Sequence, residues 1–486
     1  MTTLEHSTPL PHSRSQVFDW FERPGALVRL TPPFAGHVTH EPSEGIAPGS
    51  VADISVVPPG RIGLAAVTAT GLAPAWLPTE LPWTARHIAR DPGHSFTDVM
   101  ESGPLRAWSH QHEFVDDGDG CIMRDRIDLE LPRALDNRLL REKVLAGLRQ
   151  IMQYRGRQVD ADLAFHQTLP TKPRTIAVTG ASGLIGRQVC AMLEGGGHRV
   201  LRLVRRRAKS PRELSWDPEA RQLNPSDIAQ CDVVIHLAGH NIGGRFTRAN
   251  KRRILQSRVN GTRTIAQALA ALAGDGRSRA LICASAIGIY GTQPHAEQRA
   301  AGREAEPITE LTPPGPGFLA EVCKTWESAC QPARDAGVRA VNIRTGLVLT
   351  PQGGLLTRFL PLYLLGIGGP LGARQWQSWV GIDDIAASYV FSALRDDVEG
   401  PVNAVAPEPV QAKNFAKTLG RVLGRPAVLP VPGIGPRLLL GRQGAQELAE
   451  ADQRVAADKL IQLGYHFRHF DLESQLRHVL GRTVIG

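Results

Sequence analysis

Three glycines spaced Gly180-x-x-Gly183-x-x-Gly186, in the stretch TGASGLIG, are the residues best placed to do chemistry. A short apolar run, TIAVTG, precedes them and an amphipathic one, LIGRQVCAMLEGGG, follows. That context is a strand, a turn and a helix, and it suits a dinucleotide pyrophosphate. Gly180 permits the sharp turn, Gly183 lets the backbone approach phosphate, and Gly186 lets helix and strand pack closely. The free amides and positive dipole end of the new helix then face the anion, so Ser182, Leu184 and Ile185 join the glycines as expected cofactor contacts. The end of the next strand, LVRRRAKS, selects the cofactor. No acid stands between 199 and 210 to hold a ribose 2′-hydroxyl. Arg205 and Arg206 can instead pair with a 2′-phosphate, so NADP is expected over NAD.

The turn begins more than a third of the way along a 486-residue chain, which is long enough for several domains. Residues 1–165 have their own texture. CIMRDRIDLELP alternates, with Met123, Ile127, Leu129 and Leu131 on one face, although Asp125 interrupts that face. WSHQHEF reads as its hairpin partner across VDDGDG. A long amphipathic helix follows, with apolar residues at 139, 140, 144, 145, 148, 151 and 152. This predicts an α+β unit with a curved antiparallel sheet. The segment HQTLPTKPR at 166–174 is the expected linker. Beyond it strands and helices alternate, as in a doubly wound α/β Rossmann domain with a parallel sheet. The six cysteines form no C-x-x-C pair, which fits reduced thiols rather than a disulfide scaffold. The net charge of +9 comes from dispersed arginines, so no nucleic-acid partner is expected. No apolar run is long enough for a transmembrane segment and the start lacks a secretory pattern, so a cytoplasmic protein is expected.

The motifs TGASGLIG, VVIHLAG, SRVNGTRTI, ASAIGIYG, IRTGLVL and WVGIDDIAASYVFSAL occur in an order that resembles the extended, epimerase-like short-chain dehydrogenase/reductases. WDPEARQL, FLAEVCKTWE and the tail resemble an atypical subgroup, the epimerase-like proteins with a C-terminal domain of unknown function. The first 165 residues resemble the START-like, polyketide-cyclase-like helix-grip fold. These resemblances imply a ligand-binding domain at 1–165, an NADP-binding Rossmann domain at 174–400 and a substrate or cap region at 401–486. They also add Leu237, Ala238 and Gly239 to the cofactor set.

The superfamily resemblance implies a Tyr and a Lys one helical turn apart, the Lys lowering the phenol's pKa so that it can transfer a proton. Matching FLAEVCKTWE through Glu327 puts Leu319 and Cys323 in those places, and Lys324 lies about 100° around the helix. The usual Ser position is Ala286, with Ser285 one residue earlier. Three residues remain as catalytic candidates: Ser285, Tyr290 just past a sheet strand, and Asn260 of SRVNGT. Tyr290 can equally be a packing residue and Asn260 a helix-interior one. Lys324 and Glu327 are weaker candidates, and Arg258 either meets a phosphate or faces solvent.

The stretch 355–384 is apolar, Gly-rich and aromatic. The epimerase resemblance implies a cover over the substrate, suiting a greasy or ring-shaped small molecule, while a membrane-contacting loop and a plain core segment stay open. Asp383 and Asp384 are expected to cap a helix. His110 and His112 fall on one side of a strand with His94 and Asp98 nearby. No third ligand stands at a suggestive spacing, so polar packing and no metal are expected. Trp76, Trp83, Phe96 and Trp108 can line or fill a cavity in the first domain. Two functions stay open: an NADP(H)-dependent oxidoreductase or epimerase-like enzyme fed by a hydrophobic-ligand domain, or a non-catalytic NADP(H)-binding sensor. The oligomeric state is not legible.

Overall fold

Alternation along the chain sets the first unit. In the computed structural model, which describes residues 1–57, 80–370, 372, 374–427 and 434–483, seven strands form one antiparallel sheet. They are β1 (Thr2–Leu10), β2 (Gly36–His40), β3 (Val51–Val56), β4 (Leu81–Asp91), β5 (Ser95–Ser102), β6 (Ala107–Asp117) and β7 (Gly120–Glu130), in the spatial order β1-β7-β6-β5-β4-β3-β2. On β7, Cys121, Met123, Asp125, Ile127 and Leu129 are buried while Arg124 and Arg126 face out. The β6–β7 hairpin turns over Gly118, whose φ of +58° favours glycine.

The helix Arg138–Gln167 crosses the inner face of this sheet. Met152, Val159 and Leu163 are buried, and Leu140, Val144, Leu148 and Ile151 are half-buried. Leu139, counted in the stripe from sequence, is 71 % exposed because it lies about 100° off the line through 140, 144, 148 and 151. Phe96 fills the interior against Phe21 and Phe114 rather than lining a void. Trp83 and Trp108 meet edge to face at 5.1 Å. Trp76 lies outside the described residues.

The second unit is a parallel sheet of β8 (Thr175–Thr179), β9 (Arg199–Val204), β10 (Glu213–Ser215), β11 (Val233–His236), β12 (Ala280–Ala286) and β13 (Arg339–Thr345). Their order is β10-β9-β8-β11-β12-β13, with the strand Gly400–Ala404 beyond β13. Strand order reverses between β8 and β11, which opens a crevice at their carboxyl ends. The last strand spans the expected division at 400/401. The tail also shares the core of this sheet through Val455, Tyr465, Phe467, Leu472 and Leu476.

The two units meet over a buried polar cluster. Gly25, at φ +87°, presses on the helix Leu184–Gly195: a Cβ there would sit 2.5 Å from Ala191 Cα. Arg23 donates to the carbonyl of Gly195 at that helix's end. Arg29 pairs with Asp162 and Asp383, each at 2.8 Å, and donates to Gln188. Arg468 also bonds Asp162, and His478 Nε2 lies 3.2 Å from Asp383. The capping expectation for the acidic pair is therefore corrected. Gly381 holds the cap position of the helix Ile382–Leu394. Asp383 instead ties the first unit to the second, and Asp384 accepts from the Tyr465 hydroxyl and the Arg468 amide.

Candidate functional site

The glycine turn sits at the carboxyl end of β8, where the crevice opens. Gly180 has φ +66°, and its carbonyl accepts from the Gly183 amide at 2.9 Å. A Cβ on Gly186 would lie 2.1 Å from that same carbonyl oxygen, so only glycine lets the helix start this close to the strand. The helix Leu184–Gly195 has no side-chain cap on its first turn. Its leading amides therefore remain available to an anion.

Thr179 organises the facing loop. Its hydroxyl oxygen accepts from the amides of Leu237 and Ala238 at 3.1 and 3.2 Å. With both acceptor sites used, its own proton goes to His236 Nδ1, 2.7 Å away. That bond fixes a neutral imidazole, and burial pushes the His236 pKa down to about 3. Gly239 lies against Arg258, which stacks on Trp326 and donates to the His240 carbonyl. Arg258 thus braces the loop instead of facing solvent.

The arginines after β9 differ from each other. Arg206 forks onto Glu213 with bonds of 2.8 and 2.5 Å. Arg205 is exposed and has no ion pair or hydrogen bond among the described residues. Sequence spacing treats the two as equivalent, and the structure separates them.

Next to the crevice lies a closed polar network. Ser285 donates to Glu327 at 2.7 Å, and Glu327 receives the Arg344 fork at 2.9 Å on each oxygen. Arg344 also donates to the Tyr290 hydroxyl at 2.9 Å, and that hydroxyl donates to Asn403 Oδ1 at 2.7 Å. Tyr290 is 2 % exposed, and burial pushes its phenol up to about 12. The structure thus joins Ser285 and Tyr290 through Glu327 and Arg344, and fully engages the Tyr290 hydroxyl. Asn260 is tied elsewhere: its side chain accepts from Arg221 at 3.2 Å. Among the described residues no hydrogen bond joins Asn260 to Ser285 or Tyr290. Lys324 is exposed. Arg344 and Asn403 were missed in the sequence. Arg344 sat inside the quoted IRTGLVL, and a lone arginine at the end of an apolar strand was its only signal.

The helix Phe318–Ser328 carries the two residues matched to the proton-transferring pair. Leu319 faces Gly288, and Cys323 is buried with its thiol pushed up to about 12 by burial. Glu447, from the C-terminal region, accepts from the amides of Phe318 and Leu319 at 3.3 and 2.7 Å. Beside this helix a narrow cleft is walled by Ile287, Leu347, Leu355, Phe359, Trp376 and Leu448. Its polar lining is Gln377, Ser378 and Gln453. Gln453 is spent on the carbonyls of Ile287 and Gly291, and Ser378 on that of Gln453. Gln377 Oε1 is buried without a hydrogen-bond partner.

Known proteins resemble this chain. The model of the NAD dependent epimerase/dehydratase family matches residues 176–404, and that of a domain of unknown function, DUF1731, matches 431–479. An epimerase family protein of Mycobacterium bovis is 35 % identical over 309 residues, covering 63 % of this chain and 98 % of that protein. The chain belongs to the epimerase family. Epimerase family relatives also occur in Arabidopsis thaliana, where a chloroplastic homologue is 32 % identical over 63 % of this chain and 86 % of its own length. Among solved structures, a nucleoside-diphosphate sugar epimerase from Corynebacterium glutamicum aligns with a TM-score of 0.75 and 33 % identity. It covers 98 % of this chain and 90 % of its own, so the match takes in the first unit as well. The human epimerase family protein SDR39U1, solved with NADPH, aligns at a TM-score of 0.54 and 26 % identity, over 63 % of this chain and 99 % of its own. No helix among the described residues is long and apolar enough to cross a membrane.

Proposed function

We propose that this epimerase family member binds NADP(H) and acts as an oxidoreductase or epimerase-like enzyme on a small, largely apolar molecule held in the cleft. The observation that carries the reading is the uncapped helix start at the switch point, packed against Gly180 so tightly that Gly186 has no room for a Cβ. Gly180, Ser182, Gly183, Leu184, Ile185 and Gly186 would hold the pyrophosphate, with Leu237, Ala238 and Gly239 opposite. Arg205, free of partners, is the better candidate for the 2′-phosphate, since Glu213 already occupies Arg206. The human relative solved with NADPH supports NADP(H) as the cofactor.

Bound NADPH would supply a hydride, so reduction of a carbonyl also requires one proton at its oxygen. Ser285, Glu327, Arg344 and Tyr290 already satisfy one another, so water is the expected proton source. Gln377 is the polar group left to orient a substrate, and the apolar walls exclude bulk solvent around it. The first unit, with its antiparallel sheet wrapped on one long helix, supports a START-like helix-grip domain that would deliver such a ligand. A non-catalytic NADP(H) sensor is the second reading. It is favoured by Leu319 and Cys323 in the places of the proton-transferring pair.

Calorimetry with NADPH and NADH tests the cofactor assignment. Arg205→Ala should weaken NADPH by about tenfold or more, the loss of one charge-assisted bond, and leave NADH unchanged. Arg206→Ala should change NADPH affinity less. Equal losses for both cofactors would remove the 2′-phosphate assignment. NADPH oxidation against a panel of apolar carbonyl compounds then separates the two readings: turnover establishes the enzyme, and tight binding without turnover the sensor. Tyr290→Phe is the control, expected to retain turnover.

A further inference from the structure

The apolar inner face of the first unit holds a polar island. Asp98 on β5, His110 and His112 on β6, and Asp125 on β7 point to the same side of three adjacent strands. Asp98 stands directly opposite His110, and Asp125 directly opposite His112. Both histidines and Asp125 are buried, and the donor atoms of Asp98, His110 and His112 lie within 4.8 Å of one another.

The two nitrogens of each imidazole have different tasks. His110 Nε2 lies 3.0 Å, and His112 Nδ1 2.8 Å, from the single oxygen Asp125 Oδ1. The remaining nitrogens, His110 Nδ1 and His112 Nε2, face Asp98 Oδ2 at 3.8 and 3.7 Å. Those separations are too long for hydrogen bonds. They are close to the spacing of ligands that share one ion at about 2.0–2.1 Å each, and need to shrink by only a few tenths of an ångström. A carboxylate beside the far nitrogen of a histidine is the arrangement that orients an imidazole toward a metal, and here Asp125 Oδ1 bonds His110 Nε2 and lies against His112 Nδ1.

We propose that Asp98, His110 and His112 form a binding site for a divalent first-row transition ion of the zinc or iron(II) type, with Asp125 as the positioning carboxylate. Two imidazoles and one carboxylate are the donor set such ions take, and three protein ligands leave positions open to water or to an oxygen of a bound molecule. Charge agrees. Asp98 and Asp125 together outnumber the one guanidinium set near both, that of the half-buried Arg155, so a cation would offset the excess. Asp125 Oδ2 is buried without a hydrogen-bond partner, so the island is incomplete as a purely polar cluster. His87 on β4 stands opposite Asp98 with its Nδ1 likewise buried and unpartnered, a further group within one strand of the site.

Full-length protein stripped with chelator and titrated with Co2+ tests this. The expected result is one equivalent bound, with visible ligand-field bands that Zn2+ abolishes by competition. His110→Ala and His112→Ala should each lose the bands while keeping the wild-type far-ultraviolet dichroism. Asp125→Asn should keep the bands but weaken binding by about 10–100-fold, as expected of a group acting through the ligands. Asp98→Asn, at the least buried of the four positions (side chain 15 % exposed), is the variant least prone to misfold and should also lose the bands. Absence of bands in the wild type, or bands that persist in folded Asp98→Asn, would overturn the site.

Discussion

At the residue scale, the loop facing the glycine turn depends on one neutral imidazole. His236 is enclosed, accepts the Thr179 proton, and sits against Gly261, whose Cβ would come within 3.1 Å of the ring. Burial pushes its pKa down to about 3 from the ordinary 6.5, with Arg258 nearby acting in the same direction. The unfolded chain therefore takes up a proton between pH 6.5 and 3 that the folded chain refuses. Stability from this residue is complete above pH 6.5 and is lost as pH falls toward 3. His236→Asn keeps an acceptor for Thr179 and removes the titration. Chemical denaturation between pH 6.5 and 4 should then show a shallower acid loss, by up to about 1.4 kcal/mol per pH unit. An unchanged slope would mean that another group carries the acid sensitivity.

At the scale of elements, the helix Leu184–Gly195 sets the site, and its start is where sequence and structure agree best. Glycine spacing between an apolar strand and an amphipathic helix is a local signal, so the turn was legible. Gly186→Ala tests how far the function depends on it. A Cβ 2.1 Å from the Gly180 carbonyl and 3.0 Å from Ala181 Cα meets backbone, which cannot rotate away. The helix must retreat, so NADPH affinity should fall at least about tenfold in calorimetry, accompanied by a lower melting temperature. Other parts of the site were not legible because their partners are distant in sequence. Glu447 closes on the amides of Phe318 and Leu319 from 129 and 128 positions away. Asp98 meets His110 only because β5 and β6 pair in that register. Asp125, which looked like a flaw in an apolar face, is the residue on which the two histidines converge. Alternation gave its direction, while only the pairing of strands gives its partner.

At the scale of the whole molecule, the two units are locked by buried charges that pair across the junction. Arg29 and Asp162 come from the first unit, and Asp383 and Arg468 from the second. Arg29 is 1 % exposed, and it faces both carboxylates. Arg468 reaches only Asp162 among the acids of this group by a direct bond. Removing Arg29 therefore leaves two buried carboxylates against one guanidinium. Breaking a buried pair in this way typically costs about 3–5 kcal/mol, more than the intact pair contributes, because the stranded charge has no water to return to. Arg29→Met should accordingly lower the unfolding free energy by about that amount in urea denaturation. Adding Asp162→Asn restores charge balance, with Arg468 left to serve Asp383. The double variant should then be more stable than the sum of the two single losses, with a coupling in the range of about 0.5–3 kcal/mol. Strict additivity would mean that the cluster is screened by solvent, and that other contacts between the units, such as Gly25 on Ala191 and Arg23 on the Gly195 carbonyl, hold them together. Because the Gly25 and Arg23 contacts bear on the helix that opens the proposed cofactor site, Arg29→Met should also weaken NADPH binding, although Arg29 lies outside the proposed cradle.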